Sequence, residues 1–187
     1  MPQSATKLII LDRDGVINLD SDLFIKSPEE WVPIPGSLEA IARLNQAGYR
    51  VAVATNQSGI SRGLFDMQAL TAMHNKMHRA LSAMGGRIDA VFFCPHTAGD
   101  LCFCRKPLPG MLEDIGKRFG VGLMGVPAVG DSLRDLQAGA TVGCAPHLVL
   151  TGKGRKTQEK HAAELPPGTQ IHADLKTFVR YLLAGTF

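Results

Sequence analysis

Asp12 and Asp14 stand two residues apart in Asp12-Arg13-Asp14-Gly15-Val16, directly after the aliphatic stretch Lys7-Leu8-Ile9-Ile10-Leu11. A short aliphatic run of this kind reads as a buried strand of a parallel sheet. Ligand sites of such sheets lie just past the carboxyl ends of their strands. Two like charges this close are unfavourable unless a cation or a charged substrate offsets them. The pair therefore suits a divalent-metal site in which one carboxylate is a nucleophile. Read alone, the same residues are equally an Asp-Gly turn capping a helix.

Three further clusters bear on that choice. Thr55-Asn56-Gln57-Ser58-Gly59 follows an apolar strand, and its hydroxyl, amide and backbone N–H groups suit phosphoryl oxygens. Arg105-Lys106-Pro107 offers a guanidinium fork and a point charge for phosphate. Asp131 follows Val129-Gly130 as Asp12 follows the first strand, and Asp135 comes one helical turn later. Singly these are a loop, two solvated charges and a helix start. Together they complete a reaction. One carboxylate attacks phosphorus, and a second protonates the leaving oxygen and then deprotonates water. A cation, a hydroxyl and an ammonium hold the developing charge.

Cys94-Pro95-His96 and Cys102-Phe103-Cys104 place three thiols and an imidazole within residues 94–104. That donor set fits a closed tetrahedral Zn²⁺ site of structural type. Such a metal would fold the loop between the pairs, which has little to pack by itself. Ordinary cysteines beside a surface histidine, or a Cys94–Cys102 disulfide, are the other readings. Cys144 stands apart as a small buried hydrophobe. His74 and His78 lie four apart, but Asn75 stands where a zinc-protease helix needs Glu, so both read as solvated or half-buried side chains. Gly152-Lys153-Gly154 is no phosphate-binding P-loop, because His147 occupies the position of its first glycine. Lys153, Arg155 and Lys156 then form a solvated loop or a rim attracting anions.

The elements that must position these groups alternate. Strands are expected at Leu8–Leu11, Arg50–Ala54, Ile88–Phe93, Val126–Val129 and His147–Leu150. Helices are expected at Ser37–Ala47, Asp66–Met84, Pro109–Phe119, Ser132–Ala140 and about Asp174–Leu183. Leu38, Ile41, Ala42 and Leu44 show the helical spacing, with Gly48 as a stop signal. Gly152 to Gly168 reads as a surface loop with at most one short helix. The alternation means an α/β fold with a mostly parallel sheet, and the four clusters at Asp12–Asp14, Thr55–Gly59, Arg105–Pro107 and Asp131–Asp135 fall at one edge of it.

Asp12-Arg13-Asp14-Gly15-Val16, Thr55, Lys106 and Gly130-Asp131-x-x-x-Asp135 resemble, in order and spacing, the four motifs of the haloacid dehalogenase superfamily of phosphatases. The resemblance spans Lys7 to Leu150. It implies a Rossmann-like parallel sheet flanked by helices, with the first strand central. It also implies Asp12 as nucleophile and Asp14 as general acid/base. Mg²⁺ would be held by Asp12, the Asp14 carbonyl and Asp131, while Thr55 and Lys106 steady the phosphoryl group and Asp135 orients its neighbours. Neither the stretch from Asp14 to Thr55 nor that from Thr55 to Lys106 is long enough for a separate cap domain. Residues 1–187 are expected to form one catalytic domain, with the Asn18–Pro35 loop and the zinc-stabilised loop as partial lids.

Two capless branches of the superfamily share such a cysteine loop, histidinol-phosphate and heptose-bisphosphate phosphatases. Thr55-Asn56-Gln57-Ser58-Gly59-Ile60-Ser61-Arg62-Gly63 and Arg105-Lys106-Pro107-Leu108-Pro109-Gly110-Met111 resemble the second. That implies hydrolysis of the 7-phosphate of a heptose 1,7-bisphosphate. By the same resemblance, Asp20, Ser21, Asp22, Leu23, Thr55, Asn56, Gln57, Ser58, Arg105, Lys106 and Ser132 line the substrate pocket. Arg105 is the physical candidate for a fork on the second phosphate. Other readings are a histidinol-phosphate or small sugar-phosphate phosphatase, a phosphotransferase, and a zinc-organised binding module without activity.

The 187 residues, 45% hydrophobic and 20% charged, are ordinary for a globular domain. The net charge of +3, scattered basic residues, two tyrosines and one tryptophan argue against nucleic acid. No stretch of about 18 apolar residues provides a membrane span. Met1-Pro2-Gln3-Ser4-Ala5-Thr6 lacks the features of a signal peptide. A monomeric cytoplasmic enzyme acting on a small sugar phosphate is expected.

Overall fold

The computed structural model describes residues 7–185; the segment 1–6, read above for targeting signals, lies outside them. Six strands, β1 (Leu8–Leu11), β2 (Arg50–Asn56), β3 (Ala90–Cys94), β4 (Pro127–Gly130), β5 (Ala145–Val149) and β6 (Gln170–His172), form one sheet in the order β3-β2-β1-β4-β5-β6. Every neighbouring pair is parallel. The helices are α1 (Ser37–Gln46), α2 (Met67–Ala83), α3 (Gly110–Phe119), α4 (Leu133–Thr141), α5 (Gly154–His161) and α6 (Leu175–Ala184). This is the doubly wound, Rossmann-like order, with β1 central as the motifs implied.

The unbroken aliphatic character of β1 follows from burial on both faces. Ile9 and Leu11 pack with Val51, Val53, Leu44, Met73 and Phe178 on the face covered by α1, α2 and α6. Leu8 and Ile10 pack with Ala52, Ala54, Met111, Ile115 and Ala138 on the face covered by α3 and α4. Each such aliphatic side chain contributes roughly 1.5–3 kcal/mol on burial. Local signals set the helix ends. The Asp66 carboxylate accepts the Ala69 N–H at 2.8 Å to start α2, and Gly48, with φ of 84°, turns the chain after α1.

Most boundaries shift by one or two residues from the sequence expectation, β5 for instance running Ala145–Val149 rather than His147–Leu150. β2 runs past Ala54 through Thr55 and Asn56, which pair with Phe93 and Cys94 of β3. Polar side chains concealed this continuation, because a ladder is built by backbone groups. β3 correspondingly ends on Cys94. β6 was not anticipated: it is three residues long and mostly exposed. The stretch 152–168 contains α5 and the short 3-10 turn Ala162–Glu164.

No separate cap layer is built among the described residues. Between β1 and α1 the chain folds back on itself, with Asn18 bridging to both Asp14 and Pro33. Trp31 buries fully beneath this loop. Lys76 of α2 ties the loop down by donating to the Pro28 and Trp31 carbonyls at 2.6 and 2.9 Å. Among the described residues, no helix is long and apolar enough to cross a membrane.

Candidate active site

β1 and β4 lie side by side where the strand order reverses, so their carboxyl ends open a crevice. Asp12 follows β1 there and Asp131 follows β4. The end of β2 brings Thr55 to Ser58, and the approach to α3 brings Arg105 and Lys106. The resulting cleft, of about 260 Å³, is lined by Asp12, Asp14, Thr55, Lys106, Asp131 and Asp135 at its floor.

Lys106 is almost wholly buried, with Nζ 3.0 Å from Asp12 Oδ1 and 2.7 Å from Asp135 Oδ1. It also donates to the Ala54 carbonyl at 2.7 Å. Asn56 clamps the lysine's backbone, donating to its carbonyl at 3.0 Å and accepting its N–H at 3.1 Å. Burial lowers the proton affinity of Lys106, but Asp12 and Asp135 outweigh it, so the ammonium is held above its ordinary pKa. Gln57 donates to Thr55 Oγ1 and to Asp14 Oδ2, both at 2.8 Å, and so fixes the hydroxyl relative to the second acid.

The two acids after β1 have opposite surroundings. Burial raises Asp12 to a pKa of about 6; Lys106 opposes this, while Asp135 and Asp14 add to it. Burial would raise Asp14 as well, but it is overcome. The fully buried Arg13 meets Asp14 at 2.9 and 3.0 Å, Asn18 donates at 2.8 Å, and Gln57 adds its bond, so Asp14 is held below the usual carboxylate range. Arg13 is held in turn by half-buried His74, whose Nε2 lies 3.3 Å from Nη1.

One carboxylate oxygen from each of Asp12, Asp131 and Asp135 lies within 4.8 Å of the others, with Lys106 as the buried counter-charge. Burial and the two neighbouring acids push Asp131 well up. That surplus of negative charge is what a divalent cation relieves, and the oxygen-only donor set suits magnesium. Asp135 is already engaged by Lys106 and by the Ser132 backbone N–H and hydroxyl. Both Asp135 oxygens are thus taken up, whereas the Asp12 contacts fall on Oδ1 and that of Asp131 on Oδ2, so each of these two has an oxygen that could hold a metal. Asp131 accepts the Lys153 N–H at 2.8 Å. Its carboxylate lies wedged between Gly15 and Gly152, both at positive φ, where any Cβ would collide with it.

The rim divides by charge. Asp20, Ser21 and Asp22 line one side with Lys153, whose Nζ lies 2.9 Å from Asp20 Oδ2 and 3.7 Å from Asp22 Oδ1. Arg62, Arg105 and Arg134 line the cleft without an ion-pair partner among the described residues. Burial and the nearby Arg134 and Arg62 cations lower the proton affinity of Arg105. Asn56, Gln57 and Ser58 also face the cleft. Leu23 lines an adjoining groove instead. Ser132 does not line the cleft; it starts α4 as the N-cap of a capping box with Asp135. Sequence reasoning missed Phe24, Ile25, Arg62 and Arg134 as lining residues, and of the Lys153, Arg155 and Lys156 rim it offered as an alternative to a solvated loop, Lys153 lines the cleft. Arg62 and Arg134 both stand inside segments already singled out, at positions that the motifs leave unassigned.

Beside this edge, Cys94, His96, Cys102 and Cys104 converge with ligand atoms within 4.8 Å of one another. Cys94 Sγ lies 3.9 Å from Cys102 Sγ and 3.1 Å from Cys104 Sγ, and His96 Nδ1 lies 3.5 and 3.4 Å from Cys94 and Cys104. Tetrahedral zinc sets its sulfur and nitrogen ligands roughly 3.5–3.8 Å apart, so the cluster fits such an ion. The four cysteines are free thiols, and Cys144 is buried, as expected of a small hydrophobe.

Comparison with known proteins agrees with this arrangement. A family described as polynucleotide kinase 3 phosphatase matches residues 7–126, and a HAD-hydrolase-like family matches residues 103–178. The D-glycero-beta-D-manno-heptose-1,7-bisphosphate 7-phosphatase of Bordetella bronchiseptica is 63% identical over 177 residues, covering 95% of this chain and 98% of its own length. The protein of that name from Pseudomonas aeruginosa is 54% identical over 176 residues, covering 94% and 97%. The crystal structure of the B. bronchiseptica D,D-heptose 1,7-bisphosphate phosphatase, complexed with magnesium and phosphate, superposes with a TM-score of 0.94 at 61% identity over 97% of this chain and 100% of that one. With its four motifs gathered at one sheet edge and its likeness running nearly end to end, the chain belongs to the haloacid-dehalogenase-like phosphatases, in the family of the heptose-1,7-bisphosphate 7-phosphatases.

Proposed function

We propose that this chain is a phosphatase that removes the 7-phosphate of D-glycero-β-D-manno-heptose 1,7-bisphosphate through an aspartyl-phosphate on Asp12, within one catalytic domain and in the cytoplasm, where thiols stay reduced. The observation that carries the reading is a floor in which buried Lys106 lies between Asp12 and Asp135, with Asp14 beside it, facing an arginine rim that has no acidic partner among the described residues. The floor suits one phosphoryl group. Arg105, with Arg62 and Arg134 nearby, suits a second one that is not cleaved.

Asp12 attacks phosphorus, and the bond from phosphorus to the sugar oxygen breaks. Asp14 gives the leaving oxygen its proton. Arg13, Asn18 and Gln57 keep Asp14 charged in the free protein; the proton it passes on comes from the entering phosphate monoanion or from water, taken up because the added negative charge beside Asp14 raises its proton affinity. In the second half Asp14, again a carboxylate, removes a proton from the water that attacks the phosphoryl-Asp12 bond. Inorganic phosphate leaves and Asp12 is regenerated. Thr55 and Lys106 hold the phosphoryl oxygens throughout. Asp12, Asp131 and the Asp14 carbonyl would hold magnesium, which would supply charge neutralisation for the phosphoryl group. Cys94, His96, Cys102 and Cys104 would hold zinc, which would keep the 94–104 loop folded beside Arg105. The relatives' names and the magnesium and phosphate of the Bordetella structure support this substrate and metal.

The test is side-by-side phosphate release from the heptose bisphosphate and from histidinol phosphate, with magnesium and with product analysis. The reading expects at least tenfold higher kcat/KM on the bisphosphate and a 1-phosphate product. Equal or better turnover of histidinol phosphate overturns it.

A further inference from the structure

The loop between β1 and α1 is anchored unevenly. Its far part is held by Trp31, Ile25 and Lys76. Its tip, residues 20–24, closes on itself through the Leu23 N–H to Ser21 Oγ at 3.1 Å and the Phe24 N–H to the Ser21 carbonyl at 3.1 Å. Phe24 adopts a φ of 65°, a left-handed conformation unusual for a bulky residue, and this turn separates the tip from the buried Ile25. Two cations from the body reach the tip across the cleft. Arg62, from the loop after β2, lies over the Phe24 ring at 6.0 Å. Lys153, just before α5, pairs with Asp20 at 2.9 Å. Asp20 and Phe24 both line the cleft.

Lys153 also holds the floor. Its own N–H donates to Asp131 Oδ2 at 2.8 Å. The segment around it is tied to the motif loops, with Thr151 Oγ1 donating to the Gly15 carbonyl at 2.6 Å and Thr157 Oγ1 to the Asp131 carbonyl at 2.8 Å. One residue thus joins the Asp131 carboxylate, through its backbone, to the 20–24 tip, through its side chain. Without that cation, Asp20 and Asp22 would present bare negative charge to an anionic substrate.

We infer that Lys153 is a positioning residue for the sugar end of the substrate: its ion pair with Asp20 fastens the 20–24 tip as the far wall of the cleft and masks the acid that would otherwise repel a sugar bisphosphate. The inference rests on the sugar-phosphate reading for its substrate, and on this chain's own contacts for the fastening. Lys153 acts through Asp20 and the tip, with no role in the bond that breaks.

Two measurements test it. In the free protein, hydrogen exchange of the peptide covering residues 19–26 should quicken about tenfold in Lys153→Met and in Asp20→Asn, with α1 unchanged, while Lys153→Arg retains protection. In the magnesium-loaded enzyme, Lys153→Met and Asp20→Asn should each raise KM for the heptose bisphosphate about tenfold, the loss falling on KM rather than kcat. The double variant should be no worse than the poorer single. Unchanged exchange at 19–26 overturns the fastening whatever the substrate is. Single-variant effects on KM that multiply in the double overturn action through Asp20. Should the heptose bisphosphate prove a poor substrate for the unaltered enzyme, the exchange result still decides the fastening, so the two failures are told apart.

Discussion

Asp12 and Asp14 are separated by a single arginine, and that arginine sorts them. Arg13 is buried with its charge spent on Asp14, leaving Asp12 to share Lys106 with Asp135. One acid is thus held ionised and oriented, and the other is pressed against a lysine that can guide a phosphoryl group. Asp12→Asn keeps the shape and removes the attacking oxygen's charge. It should lower kcat by about 10⁴-fold or more while the melting temperature holds or rises, since one of three crowded acids is neutralised. Retained turnover would dismiss Asp12 as nucleophile. Arg105→Ala should cost the bisphosphate about 10- to 100-fold more in kcat/KM than a simple aryl phosphate, the worth of a charged hydrogen bond or two; equal losses would remove Arg105 from the second-phosphate site. The acids, Thr55 and Lys106 were legible because each sits at the end of a recognisable apolar element. Arg134 was not, nor were the ties of Lys153 to Asp20 and Asp131, because these depend on how distant segments are laid together.

At the scale of elements, the site is a set of strand ends with short attachments. The strands and helices that carry it showed in the sequence as aliphatic runs and helical spacing, with boundaries within a few residues. What stayed hidden was backbone pairing behind polar side chains, as at Thr55 and Asn56, and a three-residue edge strand with no apolar pattern, as at β6. The 94–104 loop has no comparable framework. Leu101 and Phe103 are exposed, so beyond the Thr97–Asp100 bonds and the Gly110 N–H to the Phe103 carbonyl its order is expected to depend on the thiol–imidazole cluster. Cys102→Ser should therefore lower the zinc content measured by atomic absorption and make the loop a preferred site of protease cutting. A full metal complement in that variant would refute the four-ligand assignment. Arg105 also donates to the His96 carbonyl at 3.0 Å, so disorder in the loop should weaken bisphosphate binding as well.

Across the whole molecule, the sheet's far side carries a different chemistry. His147 and His172 share a hydrogen bond of 3.1 Å inside a ring cluster with Phe178 and Tyr181. Burial lowers His147 to a pKa of about 4, His172 is lowered for the same reason, and His74 beside Arg13 falls to about 4 by burial and then by the guanidinium. Histidines whose folded pKa lies below the unfolded value near 6.5 cost nothing above that pH. They penalise the fold as pH falls from about 6.5 towards 4, where only the unfolded chain takes the proton. The melting temperature should drop by several degrees, roughly 5 °C, between pH 6.5 and 4.5, and His147→Phe with His172→Phe should flatten that slope. A slope unchanged by the double substitution would assign the acid sensitivity elsewhere.

The tight seat of Asp131 between Gly15 and Gly152 has a consequence for reading other genomes. A descendant that keeps every acid, the lysine and the threonine, yet has gained a lone methyl at either glycine, would carry a displaced Asp131 carboxylate. Such a sequence would pass for an intact enzyme by its reactive residues while being silent, and these two backbone positions are where a decayed copy can be recognised.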